Sequence, residues 1–172
     1  MIALEALAAA YGDSLLVECA RPGRPPYRIL VDGGPPEAWE AVRARLAALL
    51  AGERRLDLVI VTHIDSDHIA GAVRLLADDL GLELGDVWFN ALAHLPAPAV
   101  PAGRSVDEGE TLAALLAGAA GRPAVPWNRA LDGAAIVTPG DAAYLEIALP
   151  DGPRLTLLSP TPRRLAALRR LW

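Results

Sequence analysis

The sequence contains one cysteine, no lysine and no long uninterrupted apolar segment. A lone cysteine excludes a disulfide framework and a cluster of thiolate metal ligands. Cys19 lies in an apolar, strand-like segment, where we expect a buried and unreactive thiol. Because charged residues interrupt the apolar stretches well short of the length of a membrane span, no transmembrane helix is predicted.

Two further features are missing. The first residues do not form a basic segment followed by an apolar core, so no secretory signal is predicted and the cytoplasm is the expected location. No basic stripe with interleaved aromatic residues is present, and the net charge is −5, so we expect no dedicated nucleic-acid-binding surface. A bound metal ion would still let an acidic chain handle phosphate, because the ion supplies local positive charge.

What is present is the composition of a folded protein. The 172 residues are 53% hydrophobic and 22% charged, which predicts a chain that buries a core without covalent staples. No internal repeat and no inter-domain linker interrupts the sequence. We therefore expect a single domain over residues 1–172.

The first third of the chain has the pattern of strands joined by turn sequences at residues 11–14 and 22–26. It predicts an antiparallel meander of three strands, over residues 2–10, 15–18 and 27–31. Pro36 is predicted to start a helix. Residues 56–62 are almost continuously apolar and rich in β-branched side chains, as in a strand buried on both faces.

Helices and shorter strands alternate in the rest of the chain. The patterns predict helices over residues 69–80, 105–116 and 162–171, strands over residues 86–90, 135–138, 144–149 and 155–158, and a surface loop over residues 96–103. The segment from Ser105 to Glu108 has the form of a capping box, and Asp151-Gly152 has the form of a tight hairpin turn. The predicted class is α/β (α+β), a mixed β-sheet with flanking helices.

Four residues with metal-binding side chains lie within six positions, directly after the buried strand: His63, Asp65, Asp67 and His68. Imidazole and carboxylate are ligands that suit zinc, manganese and iron. Ligands in open α/β sheets collect at the carboxyl ends of strands, which is where this loop begins. Gly71 is predicted to let the following helix pack closely behind the loop.

A purely structural explanation exists for each of these residues. Asp65 or Ser66 could cap the following helix, and Asp67 could offset the helix dipole. The two histidines could be incidental. Four such residues in one hexapeptide after a buried strand favour the metal-binding interpretation.

The pattern His63-x-Asp65-x-Asp67-His68 after a buried strand resembles the signature loop of the metallo-β-lactamase fold superfamily. Two upstream segments, residues 12–18 and 29–34, resemble the opening strands and the Asp-Gly turn of the same superfamily. Asp65 stands where the commoner form of the loop has histidine. This form is similar to the hydrolase domain of bacterial DNA-uptake proteins.

The resemblance implies an αββα fold of which this chain is the N-terminal half. It implies two divalent ions, with zinc expected and manganese or iron as alternatives. His63 and Asp65 would bind one ion, and Asp67 and His68 the other, with Asp67 also catalytic. The reaction implied is attack of an activated water on an ester, amide or phosphodiester in a small-molecule or phosphodiester substrate. Asp32 is expected to support a metal ligand, with a plain turn residue as the alternative.

The later ligands of the superfamily are poorly represented. His94, at the end of a predicted strand, is either a further ligand or a packing histidine. Gly140-Asp141 has the residue types of a bridging aspartate, but it follows Thr138-Pro139, so a plain turn is favoured. We therefore expect an incomplete domain.

The sequence also allows three interpretations other than a hydrolase. The principal alternative is a non-catalytic metal-binding or interaction domain with a partial site. Completion of the site by a second copy has no support in the sequence. A nucleotide-binding domain is disfavoured, because Gly33-Gly34 is not part of a glycine-rich phosphate loop.

Overall fold

A computed structural model describes residues 1–49, 52–78, 80–96, 107–140, 142–170 and 172. Nine strands are present in this part of the chain: β1 (Ile2–Ala6), β2 (Leu15–Arg21), β3 (Arg24–Val31), β4 (Arg55–Leu56), β5 (Leu58–Ile60), β6 (Glu83–Leu84), β7 (Val87–Trp88), β8 (Leu145–Ala148) and β9 (Arg154–Leu157). Four α-helices accompany them: α1 (Trp39–Leu49), α2 (Ser66–Ala77), α3 (Asp107–Leu116) and α4 (Pro162–Leu168).

The central sheet has five strands in the order β1-β2-β3-β5-β7. Strand β2 pairs antiparallel with β1 on one side and with β3 on the other, as the meander prediction required. Strands β3, β5 and β7 run parallel, so that their carboxyl ends meet at one edge. The predicted class, a mixed sheet with flanking helices, is confirmed. Strands β4 and β6 form a small parallel pair, and β8 and β9 form an antiparallel hairpin.

The inner strands of the sheet are buried on both faces, and the alternation of side chains along them divides the core in two. Leu16, Leu30 and Val59 face the helices, where they pack with Trp39, Val42 and Ile69 among others. Ile29 and Leu58 face the opposite side, where they pack with Trp88, Ile136 and Ile147. Leu58 and Val59 are both almost fully buried, which confirms the prediction of a strand covered on each face.

Several boundaries differ from the predicted ones. The expected loop at residues 22–26 is shorter, because β3 begins at Arg24 and pairs with β2 through a tight turn. Helix α2 ends at Ala77, before the predicted stop at Gly81. The strand predicted at residues 135–138 is wrong. The Asn90 amide takes the place of a strand partner there, donating to the carbonyl of Ile136 and accepting from its N–H, each at 2.8 Å.

Some predicted features fall partly outside the described residues. They are residues 97–103 of the surface loop, residues 105–106 of the capping box, Asp141, and Leu171 near the end of the last helix. Helix α3 itself is described from Asp107 and ends at Leu116 as expected. No helix in the described ranges is long and apolar enough to cross a membrane.

Candidate metal centre

The predicted metal loop lies at the edge where the parallel strands end. Strand β5 ends at Ile60 and helix α2 begins at Ser66, so the loop lies between them. Backbone hydrogen bonds join both neighbouring strands to this edge: Asp32 N–H donates to the carbonyl of Ile60 at 2.8 Å, and Val61 N–H donates to that of Trp88 at 3.0 Å. The turn after β3 and the residues after β7 therefore flank the loop.

Glycines let the backbone segments around the loop approach very closely. Gly33 N–H donates to the carbonyl of His68 at 2.9 Å, and Gly71 N–H donates to that of Gly34 at 3.0 Å. A Cβ atom on Gly71 would lie 1.9 Å from the carbonyl oxygen of Gly33. A side chain at this position is excluded unless the backbone moves, which confirms the packing role predicted for Gly71.

Asp32 connects three segments of the site. Its buried carboxylate accepts from the Thr62 backbone N–H at 2.8 Å and from the Thr62 hydroxyl at 2.6 Å. It also lies 2.9 Å from Nδ1 of His68. Since an ionised carboxylate only accepts, a His68 ring that donates to it has a hydrogen on Nδ1, and in the tautomer with that single hydrogen Nε2 has a free electron pair.

The four loop residues form two histidine–carboxylate pairs. Nδ1 of His63 lies 3.5 Å from an Asp65 carboxylate oxygen, and Nε2 of His68 lies 3.5 Å from an Asp67 carboxylate oxygen. The centroids of the two imidazole rings are 3.8 Å apart. The structure therefore brings together all four predicted loop ligands.

A fifth carboxylate, that of Asp13, was missed by the sequence reasoning. One of its oxygens lies 3.9 Å from Nε2 of His68. Asp13 comes near His68 because the turn before it packs against the start of α2. A Cβ on Gly12 would lie 2.0 Å from the carbonyl oxygen of Asp67, so only glycine allows this close packing. The signal in the sequence was the Gly-Asp pair in the first predicted turn.

The capping explanation for Asp65 is wrong. Asp65 occupies the position before helix α2, but its side chain makes no capping hydrogen bond. The Ser66 hydroxyl, the other candidate cap, instead donates to the Glu108 carboxylate at 3.0 Å. Asp67 does lie in the first turn of the helix, where its charge also opposes the helix dipole.

Negative charge is concentrated around the two imidazoles. The carboxylates of Asp13, Asp32, Asp65 and Asp67 surround them, and in the described part of the chain none of the four forms an ion pair with an arginine. Like charges held close together are destabilising unless a cation offsets them. The site is thus electrostatically suited to a divalent cation.

His94 makes its contacts elsewhere. Its Nδ1 accepts from the Ala91 backbone N–H at 3.1 Å, and its ring stands edge-on to Trp127 at 4.8 Å between centroids. Burial lowers the pKa of His94, and a hydrogen bond with the Gly133 backbone opposes part of that shift. Neither loop pair includes His94, so its role as a ligand stays a prediction.

The arrangement is a partial fit to a metal ion. The donor types suit a divalent cation, and Asp32 holds His68 with one nitrogen free. However, no group of three or more histidine, cysteine, aspartate or glutamate side chains among the described residues is arranged to hold a metal ion. The described residues therefore supply suitable ligand types but no complete group of ligands.

Comparison with known proteins agrees with the loop and its surroundings. Residues 12–79 match the model of the metallo-beta-lactamase superfamily. The matched segment resembles this superfamily and covers less than half of the chain. It contains β2, β3, the Asp32 turn, the metal loop and α2, and the mixed sheet with its helices is a partial form of the superfamily's fold. No curated protein and no solved structure matches the chain.

Proposed function

We propose that this chain carries the metal-binding loop of a metal-dependent hydrolase. The superfamily match supports the class of enzyme. The observation that carries the proposal is the 2.9 Å contact between Asp32 and Nδ1 of His68. Such an outer carboxylate fixes the ring and its tautomer in many metal sites, and it leaves Nε2 available as a ligand.

Two pairs of residues would hold divalent ions. His63 and Asp65 form one pair, and Asp67 and His68 form the other, with Asp13 beside the second. Zinc is the ion that we propose, and manganese and iron also accept imidazole and carboxylate ligands. A bound ion would supply Lewis acidity, which activates water and polarises a carbonyl or phosphoryl group.

The chain's own side chains would orient a metal ligand and accept a proton. Asp32 keeps the hydrogen on Nδ1 of His68 and prevents the ring from turning. Asp67 is one-third exposed and lies beside Nε2 of His68, so its carboxylate is positioned to accept a proton from the attacking water. We propose an ester, amide or phosphodiester as the bond that is hydrolysed.

The remaining ligands would come from outside the described residues. This part of the proposal rests on the two-membered donor pairs, since a catalytic zinc site ordinarily has three protein ligands. The same observation favours a second candidate function, a non-catalytic metal-binding or interaction domain. The two candidates share the metal loop and differ in whether a complete site is formed.

Calorimetric titration of the metal-free chain with zinc and with manganese tests the proposal. We expect weak binding of fewer than two ions per chain, abolished in a His63→Ala, His68→Ala double variant. Asp151→Asn, a charge change in an exposed turn, is the control and should bind as the wild type does. Circular dichroism verifies that each variant is folded. Equal binding by the double variant and the wild type would contradict the proposal.

A further inference from the structure

A cavity of about 640 Å³ adjoins the His63 side of the metal loop. It lies at the carboxyl ends of β5 and β7, beneath strand β9 and helix α4. Its volume is within the range of about 300–1,000 Å³ that is usual for small-molecule sites. Thr62, His63 and Ile64 of the loop form part of its wall, so that a bound molecule would reach the proposed site.

The wall is mainly apolar. Side chains from both layers of the structure contribute to it, among them Ile60, Trp88, Phe89, Ile136, Leu157 and Leu165. Two of the polar lining residues are already engaged: the Asn90 amide bonds the backbone of Ile136, and the Thr62 hydroxyl donates to Asp32. A ligand would therefore be held largely by apolar contact.

One lining residue has a permanent charge. Arg164, on helix α4, is exposed, and among the described residues its guanidinium forms no ion pair and no hydrogen bond. The charged side chains that contact the two loop histidines are carboxylates, which would repel an anion from the metal side. The positive charge at the cavity is thus separated from the negative charge at the loop.

We infer that the cavity binds an anionic amphiphile, whose apolar body fills the cavity and whose negative group lies at Arg164. For the end of the ligand that reaches the metal loop, this inference rests on the proposed function. The bond to be hydrolysed would lie at that end, beside His63. The substrate class is then an ester, amide or phosphodiester with an aliphatic or aromatic body and one anionic group. Charge complementarity selects this ligand over a neutral one.

Two fluorescent probes on the metal-free chain test the inference. 8-Anilinonaphthalene-1-sulfonate has an apolar body and one negative charge, and N-phenyl-1-naphthylamine has a similar body without charge. Arg164→Gln should weaken binding of the sulfonate about fivefold, as for a partly exposed ion pair, and leave the neutral probe unaffected. Thr156→Trp, which fills part of the cavity from an exposed strand position, should weaken both.

Arg163→Gln is the matched control, because Arg163 is the exposed neighbour that does not line the cavity. It should leave both affinities unchanged. An equal loss in Arg163→Gln and Arg164→Gln, or no loss in Arg164→Gln, would overturn the inference. An Asp67→Ala, His68→Ala variant, whose two residues do not line the cavity, should bind both probes normally, so that failure of the metal loop and failure of the cavity are distinguished.

Discussion

At the scale of single residues, Asp32 contributes most to the organisation of the site. It receives hydrogen bonds from the Thr62 backbone, the Thr62 hydroxyl and the His68 ring. Its backbone φ of 59° lies in the left-handed region, which aspartate tolerates better than most residues. A simple turn would not need a buried carboxylate with three donors around it, so the geometry favours the supporting role over the turn role.

Asp32→Asn tests that role. The amide has one oxygen to accept with and directs an NH₂ group toward donors, so one or more donors lose their partner. We expect a loss of about 1–3 kcal/mol in the free energy of unfolding, measured with urea. Zinc affinity, measured by calorimetry, should fall about 10–100-fold.

Asp151→Asn, in an exposed turn, is the control for the charge change and should leave zinc affinity unaltered. Loss of stability in Asp32→Asn with undiminished zinc affinity would show that Asp32 serves the turn alone.

At the scale of elements, helix α2 is positioned by the turn that follows β3. The hydrogen bonds from Gly33 to His68 and from Gly71 to Gly34 join them, and neither Gly33 nor Gly71 has room for a side chain. This packing sets the position of Asp67 and His68 in the first turn of α2 relative to Asp32. The metal loop is therefore held at both ends, by strand β5 and by the docked helix.

Gly71→Ala should disrupt this docking. Alanine would ordinarily favour a helix by about 1 kcal/mol over glycine, but here its Cβ would meet the Gly33 carbonyl at 1.9 Å. We expect a net loss of about 1–3 kcal/mol in the free energy of unfolding, measured with urea, because the overpacking outweighs the propensity.

Gly140→Ala is the control, since a Cβ there meets no atom of the described residues within 4 Å. A Gly71→Ala variant as stable as Gly140→Ala would contradict the close packing described here.

At the scale of the whole molecule, the features that depend on short segments could be predicted from the sequence, and the contacts between distant segments could not. The meander, the doubly buried β5 and the metal loop follow from periodicity and spacing, which are properties of short segments. The contact of Asp13 with His68 and the strand-like pairing of Asn90 with Ile136 are tertiary. The Gly12-Asp13 pair marks a tight turn but not its partner, and nothing near Asn90 marks the pairing with Ile136, because each contact depends on how separate segments pack.

The cavity, too, could not be predicted from local sequence patterns. Strand β9 and helix α4 are recognisable in the sequence, but their position over the ends of β5 and β7 is set by tertiary packing. Strand β9 packs in the core cluster of Ile29 and Leu58, and α4 packs through Leu165 in the cluster on the helical side. Arg164 has no distinguishing sequence context, and its position on the cavity wall is a property of the assembled layers.

The central claim is that His63 and His68 bind a divalent ion and that Asp32 fixes the proton of His68. Long-range ¹H–¹⁵N correlation spectra of the histidine rings, recorded during a zinc titration, test it most directly. We predict that Nε2 of His68 shifts on zinc addition while Nδ1 stays protonated, and that His63 shifts as well. A titration in which neither loop histidine responds, or in which His94 alone responds, would contradict the claim.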